Sequence, residues 1–499
     1  MRSLVFAVLA GTWSTGRAFV TGGSGGMMRR SRVSNRATWS LIKMSTPNMS
    51  AEEPDQDSTP LVDAMEEAAS RIRAPFFFPG HKMGRGAPQR FLDVILGGQV
   101  EALRHDLPEL PELDNLFAPE GPIRDAELLA EKAFGAAKTW MLANGSTAGV
   151  LASIMACVQR HQATGGGGGL GAGKSDPGAG RMDPGQPCSV FILPRDAHKS
   201  AVHALVLSGA MPCFIEPWRD ARTGVGLGLG LGDIQKALKE HGDKVAGVFV
   251  VSPTYEGVCM DLDGVAEACH TAGVPLVVDE AHGAHLSFLT DSTTMTTTQE
   301  KVQVSVPRCP PSPPARHLPN GAPGALENGA DLVVQSAHKT LGSLTQSAFL
   351  HLGGVLLCAG SGPQGGSFGG DFDKLPGFPF SMRQAVSAAL ATVQSSSPSY
   401  LLLASLDAAR WSLAGGDKSG RTRLREAAAI ALDAKARHSS VLAGLEVLDL
   451  GGRARAKAKG GDGAGHSVAM DPLRLTVLLP EGLSGFDVDE MLIDGVHRE

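Results

Sequence analysis

Several things are scarce or missing in this 499-residue chain, and each absence removes a class of function. No two cysteines stand as CxxC. The seven present (Cys157, Cys188, Cys213, Cys259, Cys269, Cys309, Cys358) are an odd, scattered set. That excludes a disulfide framework and a zinc site and fits a reducing compartment, so no metal is expected. The net charge is only −6, without the basic excess that a nucleic-acid partner would call for. No segment beyond the extreme N-terminus is long and apolar enough to span a bilayer, so no membrane partner is expected. Charged residues make up 19% and hydrophobic ones 42%, which excludes a disordered body; the length suits two or three domains.

The first 50 residues contain no Asp or Glu; the first acidic residue is Glu52. A short apolar core, Leu4 to Ala10, lies behind Arg2, and a basic, Ser-rich stretch follows. An h-region followed by transit-peptide composition resembles the bipartite presequences of algae with secondary plastids, with Phe19 near the cleavage point. Residues 1–50 are therefore expected to direct the chain to a plastid. A mitochondrial or secretory leader is the plainer alternative, and without import the chain would stay in the cytoplasm.

Residues 51–60 form an acidic linker, and Leu61, Met65, Ala68 and Ile72 predict an amphipathic helix over 61–73. From about 139 to 360, apolar strands alternate with helical stretches, the pattern of an α/β layer with a mostly parallel sheet. Low-complexity segments at 164–187, 289–328 and 453–465 read as surface insertions. After Gly377 the chain turns helical (382–394, 400–414, 421–442), and a strand at 473–479 and a helix at 486–493 follow.

Candidate functional residues gather where strands end. Such sheets place ligands at the carboxyl ends of their strands. After a strand ending near Asn144, Gly145, Ser146 and Thr147 open a helix; their N–H groups and hydroxyls suit a phosphate, or a simple N-cap. His198 follows the strand 189–193. Asp279 ends the apolar strand that begins at Val274, a costly place for a carboxylate without a cation. His282 and His285 crowd the same turn. Lys339 follows the strand 331–335, between His338 and Thr340 and near Ser336 and Ser343. A lysine in such a crowded turn is a candidate Schiff-base nucleophile, because burial frees its lone pair. A phosphate cradle, a ring to stack, a carboxylate for a ring nitrogen and a lysine for an aldehyde are together the requirements of pyridoxal 5'-phosphate.

The motifs themselves go further. Pro79-Gly-His-Lys82, His105-Asp-Leu-Pro-Glu-Leu-Pro-Glu-Leu-Asp114, Pro119-Glu-Gly-Pro122, Asn144-Gly-Ser-Thr147, Asp196-Ala-His-Lys-Ser200, Pro253-Thr-Tyr-Glu-Gly257, Asp279-Glu-Ala-His-Gly-Ala-His285 and Ser336-Ala-His-Lys-Thr340 resemble the Orn/Lys/Arg decarboxylase family, fold-type-I pyridoxal-phosphate enzymes. The likeness is greatest to the shorter members, which lack an N-terminal wing domain. It implies a seven-stranded-type sheet flanked by helices, a major domain over 75–380 and, over 381–499, a helical connection and a truncated small α+β domain. It implies that Lys339 carries the cofactor and that Asp279 keeps the pyridine nitrogen protonated. His198 would stack on the ring; Gly145, Ser146, Thr147, Ser336 and His338 would take the phosphate. His282 would lie near the phenolic oxygen or the substrate. The expected reaction is decarboxylation of arginine, lysine or ornithine to an amine that feeds polyamine synthesis, in a homodimer or higher oligomer. The acidic segment 105–120 is expected to face the cationic substrate. Another fold-type-I activity, such as transamination, and a non-catalytic regulatory paralogue are the alternatives; intact Lys339 and Asp279 argue against the second.

Overall fold

The apolar runs become strands and the amphipathic stretches between them become helices. The computed structural model describes residues 55–72, 74–164, 189–289, 323–354, 381–415, 419–441, 446–448 and 468–478. The expected presequence 1–50, the insertion 453–465, the helix 486–493 and all but the ends of the insertions 164–187 and 289–328 lie outside those residues.

In chain order the strands are β1 (Lys138–Leu142), β2 (Val190–Pro194), β3 (Met211–Ile215), the short β4 (Trp218–Arg219) and β5 (Gly226–Gly228), β6 (Val245–Val251), β7 (Val258–Met260), β8 (Leu276–Asp279), β9 (Leu332–Gln335), β10 (Ala348–Leu352), and the short β11 (Glu446–Val447), β12 (Val468–Met470) and β13 (Val477–Leu478). One seven-stranded sheet runs β1-β10-β9-β8-β6-β2-β3. Only β10 is antiparallel to its neighbours; the other pairings are parallel, as expected. Strands buried on both faces read as continuous apolar runs, and β6 sends Phe249 into one helical layer and Val248 and Val250 into the other. The helices Gly145–Ala163, Lys199–Ser208 and Met382–Val393 pack on the first face, and Leu231–His241 and Asp263–Thr271 on the second.

Two features fix where the functional loops start. Gly149 lets the helix Gly145–Ala163 lie flush on the sheet: a Cβ there would stand 2.8 Å from Val334 Cγ1 and 2.9 Å from Leu142 Cδ1. The helix N-terminus is thereby held at the mouth of β1 and β9. At the sheet's N-terminal flank, the helix Pro60–Arg71 buries Leu61, Met65 and Ala68 against Leu403 and Leu406 of Tyr400–Ala414. The fully buried Arg410 donates to the Gln56 (2.7 Å) and Ser58 (2.6 Å) carbonyls and pairs with Asp407.

The structure departs from expectation near the C-terminus. Of the strand expected at 473–479 only β13 pairs. Asp471 Oδ1 accepts the Leu473 N–H (2.9 Å) and turns the chain before it can extend. Upstream, β12 pairs antiparallel with β7, a contact across about 200 residues of sequence that no local pattern announces. The end of the second insertion is also no surface loop: Ala325 is fully buried and its N–H donates to Glu280 Oε1 (2.8 Å).

That bond ends a polar line threaded through the sheet. Thr139 donates to His351 Nδ1 (2.8 Å), His351 Nε2–H to Gln335 Oε1 (3.1 Å), and Gln335 Nε2 to Glu280 Oε2 (2.7 Å). Burial pushes His351 down to about 3 and the Glu280 carboxyl up to about 8. Replacing Gln335 by Leu strips a partner from both, and a loss of about 2–4 kcal/mol in urea unfolding is expected. The acid gives a second test. The unfolded chain releases the Glu280 proton near 4.5, the folded chain only near 8. Its contribution is therefore complete below the lower value and is lost as pH rises through the upper one, at most about 1.4 kcal/mol per unit. Glu280→Gln should flatten this fall in stability between about pH 5 and about pH 8, read by thermal unfolding.

Candidate active site

Every loop that follows the C-terminal end of a central parallel strand, or the start of the helix after β1, contributes to one cavity of about 510 Å³. Gly145, Ser146 and Thr147 enter after β1, Asp196 and His198 after β2, Thr254, Tyr255 and Glu256 after β6, Asp279 and His282 at and after β8, and Ser336, His338 and Lys339 after β9. The nine residues expected to hold the cofactor or meet the substrate thus line the same space.

Asp279 forms the floor. It is only 6% exposed, and its Oδ1 accepts the Ala281 N–H (3.1 Å). Burial raises its carboxyl above the ordinary value, while that N–H, Lys339 and His198 draw it back. A buried carboxylate of this kind is stabilised by a cationic partner, and a protonated ring nitrogen fits. Above it, His198 precedes the helix Lys199–Ser208, with Nδ1 held by Ser200 Oγ (2.8 Å) and by the Ser200 N–H (3.3 Å). Both bonds fix the ring's orientation at the cavity wall.

The phosphate expectation falls on residues that come together. Ser336 Oγ donates to Ser146 Oγ (2.8 Å) beside the N-terminus of the 19-residue helix Gly145–Ala163. Hydroxyls and free N–H groups there suit an anion. His338 lines the same cavity with Nδ1 held by the Ser347 carbonyl (3.0 Å). A lysine amine, a buried carboxylate, a positioned imidazole and an anion cradle around one cavity together fit a phosphorylated aromatic aldehyde.

Lys339 differs from expectation in its setting. It sits in one helical turn, Ala337–Thr340, and its side chain is open to the cavity rather than enclosed. Partial desolvation still lowers its ammonium, with Asp279 opposing and the Arg474 charge adding to the shift. Its Nζ lies 3.2 Å from His282 Nε2. The other ring nitrogen of His282 meets the Arg474 guanidinium. Burial, then the charges of Lys339 and Arg474, push His282 down to about 4. Tyr255 stands edge-on to His282, ring centroids 5.6 Å apart, and Arg474 Cζ lies 5.6 Å from the Tyr255 ring.

Other neighbours in sequence point elsewhere. Ser343 bonds Ser347 Oγ (2.6 Å), the Thr340 hydroxyl is buried without a partner, and His285 Nε2 pairs with Asp471 (2.9 Å). None lines the cavity. The acidic segment 105–120 does not line it either. Asp106 pairs with His81, Glu109 accepts from Asn115, and Asp114 caps the backbone N–H groups of Asn115, Glu120 and Gly121. A segment that rich in proline leaves N–H groups unpaired in secondary structure, and its carboxylates satisfy them locally. Besides Asp279, the acids that do reach the cavity are Asp196 and Glu256. Both lie inside quoted motifs, Asp196-Ala-His-Lys and Pro-Thr-Tyr-Glu-Gly, and that position was the available signal. Arg474 gave no such signal, because it arrives from a distant turn.

A family model described as Orn/Lys/Arg decarboxylase, major domain, matches residues 59–163, 182–305 and 318–458. An arginine decarboxylase of Bacillus subtilis is 30% identical over 449 residues, covering 89% of this chain and 71% of the relative. One of Halalkalibacterium halodurans is 32% identical over 369 residues, covering 74% of this chain and 58% of the relative. Among solved structures, lysine decarboxylase A of Pseudomonas aeruginosa superposes with a TM-score of 0.56 at 22% identity over 85% of this chain and 52% of its own. At that identity the superposition speaks for the fold alone, and the chain spans about half to 71% of the length of these proteins. The family match runs through every strand of the main sheet and every loop that lines the cavity, and the chain belongs to the Orn/Lys/Arg decarboxylase family.

Proposed function

We propose that the chain binds pyridoxal 5'-phosphate and decarboxylates a basic L-amino acid, arginine, lysine or ornithine, to the corresponding amine. The observation that carries this reading is the meeting of Asp279, Lys339 and His198 with the Ser146–Ser336 cradle around one cavity. Lys339 Nζ would hold the cofactor, Asp279 its ring nitrogen, His198 its ring face, and Gly145, Ser146, Thr147, Ser336 and His338 its phosphate. Bound pyridoxal phosphate supplies an electron sink for the pair released when the Cα–carboxylate bond breaks.

The protein's own groups then have distinct tasks. Asp279 keeps a proton on the ring nitrogen by offering a buried negative charge. Lys339, beside His282, would be placed to return a proton to Cα. Asp196 and Glu256 put negative charge at the cavity wall; burial and the nearness of Glu256 raise the Asp196 carboxyl. That favours a cationic side chain over a neutral one. Similarity to arginine decarboxylases supports the same substrate class. Lys339, His198 and Tyr255 stand open to solvent in the single chain, which supports a second copy closing the mouth. The acid-free presequence supports delivery to a plastid and the amine product supports a role in polyamine synthesis.

The purified chain is expected to show cofactor absorbance that Lys339→Ala abolishes, and to release CO2 from at least one of arginine, lysine and ornithine. Absorbance without CO2 from any of the three would sink the decarboxylase reading; no absorbance would favour a non-catalytic paralogue. Asp196→Asn and Glu256→Gln should each raise KM for the preferred substrate about tenfold, near 1.4 kcal/mol, with kcat little changed. Unchanged steady-state KM in both would remove these carboxylates from substrate recognition.

A further inference from the structure

Arg474 reaches His282 from a part of the chain nearly 200 residues away. It sits in the turn after β12, where its N–H donates to the Asp471 carbonyl (3.2 Å). Asp471 in turn is tied to the Gly257 carbonyl through its N–H (2.8 Å) and to His285 through its carboxylate (2.9 Å). Gly257, at φ +89°, leaves room for this approach: a Cβ there would lie 2.5 Å from Arg474 Cβ. The loop after β6 and the turn after β12 are thus fitted to each other around the arginine.

A guanidinium has only donors. The imidazole nitrogen that meets it, Nδ1 of His282, must therefore accept. A neutral imidazole carries one proton, so that proton is on Nε2, and Nε2 faces Lys339 Nζ at 3.2 Å. Two N–H donors cannot share that contact, so the lysine nitrogen has to accept. The imidazolium form and the Nδ1–H tautomer each set donor against donor. We propose that Arg474 is a positioning residue: it fixes His282 in the Nε2–H tautomer, and His282 in turn holds Lys339 as a free amine ready to react with an aldehyde.

The surrounding charges agree. Arg474 opposes a proton on His282, and among the neighbouring charges only Asp471 favours one. Arg474 opposes the ammonium form of Lys339, with Asp279 favouring it. Tyr255, edge-on to the imidazole and beneath the guanidinium, packs the two together. The inference rests on Lys339 being the cofactor lysine, as proposed above, but its test uses the chain stripped of cofactor and reads no catalysis.

In protein labelled with 15N-histidine, the His282 signals, assigned by their loss in His282→Gln, should show Nε2 protonated and Nδ1 bare at neutral pH. In Arg474→Met they should move to a mixture of tautomers. The pH midpoint for acylation of Lys339, followed by peptide mass spectrometry, should rise by about one unit, roughly tenfold slower labelling below it. Arg474→Lys, which keeps a charged donor, should restore both. Unshifted His351 signals in the core report that each variant is folded. A mixed or Nδ1–H tautomer in the unmodified protein overturns the proposal without any variant, and so does an Arg474→Met chain whose tautomer and Lys339 midpoint stay in place. A chain with the expected tautomer that releases no CO2 would count against the decarboxylase reading and leave this one standing.

Discussion

Asp279 holds a carboxylate at the end of a strand whose other residues, Leu276, Val277 and Val278, are apolar and fully buried. Such a group is stable only with compensation, and the local backbone offers it a single N–H, from Ala281. The remainder has to come from positive charge across the cavity. His198 and Lys339, on the loops after β2 and β9, line the same cavity, where a bound cationic ring nitrogen would give it. The sheet order brings those loops together: β8 lies beside β9 and one strand away from β2, across β6. The demand of one buried acid and the parallel alignment of four strands thus define the site between them.

The same sheet handles polarity differently a residue later. Asp279 faces the cavity, while Glu280 turns into the protein and closes the line from Thr139 through His351 and Gln335. Alternation along the chain separates a charge meant for chemistry from a charge used in packing. This explains why the Asp-Glu pair is adjacent without the two acids sharing a role.

Much of this was legible in the sequence because the informative residues sit at strand ends, next to apolar runs that announce themselves. Asp279, Lys339, His198 and the Gly145-Ser146-Thr147 turn were all placed by that rule, and the mostly parallel sheet followed from the alternation of strands and helices. What the chain order could not show is what arrives from far away. Arg474 sits among Leu473, Leu475 and Thr476 in a stretch with strand-like composition. Its meeting with His282 depends on β12 pairing with β7 and on the absence of a side chain at Gly257. The acidic segment 105–120 misled for the opposite reason. Its composition suggested a charged surface for substrate, but Asp114 takes up backbone N–H groups beside the prolines, and Asp106 and Glu109 pair with His81 and Asn115.

The clamp at Arg410 has a meaning for how far the N-terminus can be shortened. Its guanidinium is wholly buried, and besides Asp407 it relies on oxygens of Gln56 and Ser58, only a few residues beyond the acid-free segment 1–50. Asp407 also accepts the Leu61 N–H. A processing protease that trimmed the chain past Gln56 would leave a cation in the core with fewer acceptors than it needs. The short acidic stretch before the first helix is therefore part of the folded body at its far end, and it would set an inner limit to any trimming of the N-terminus.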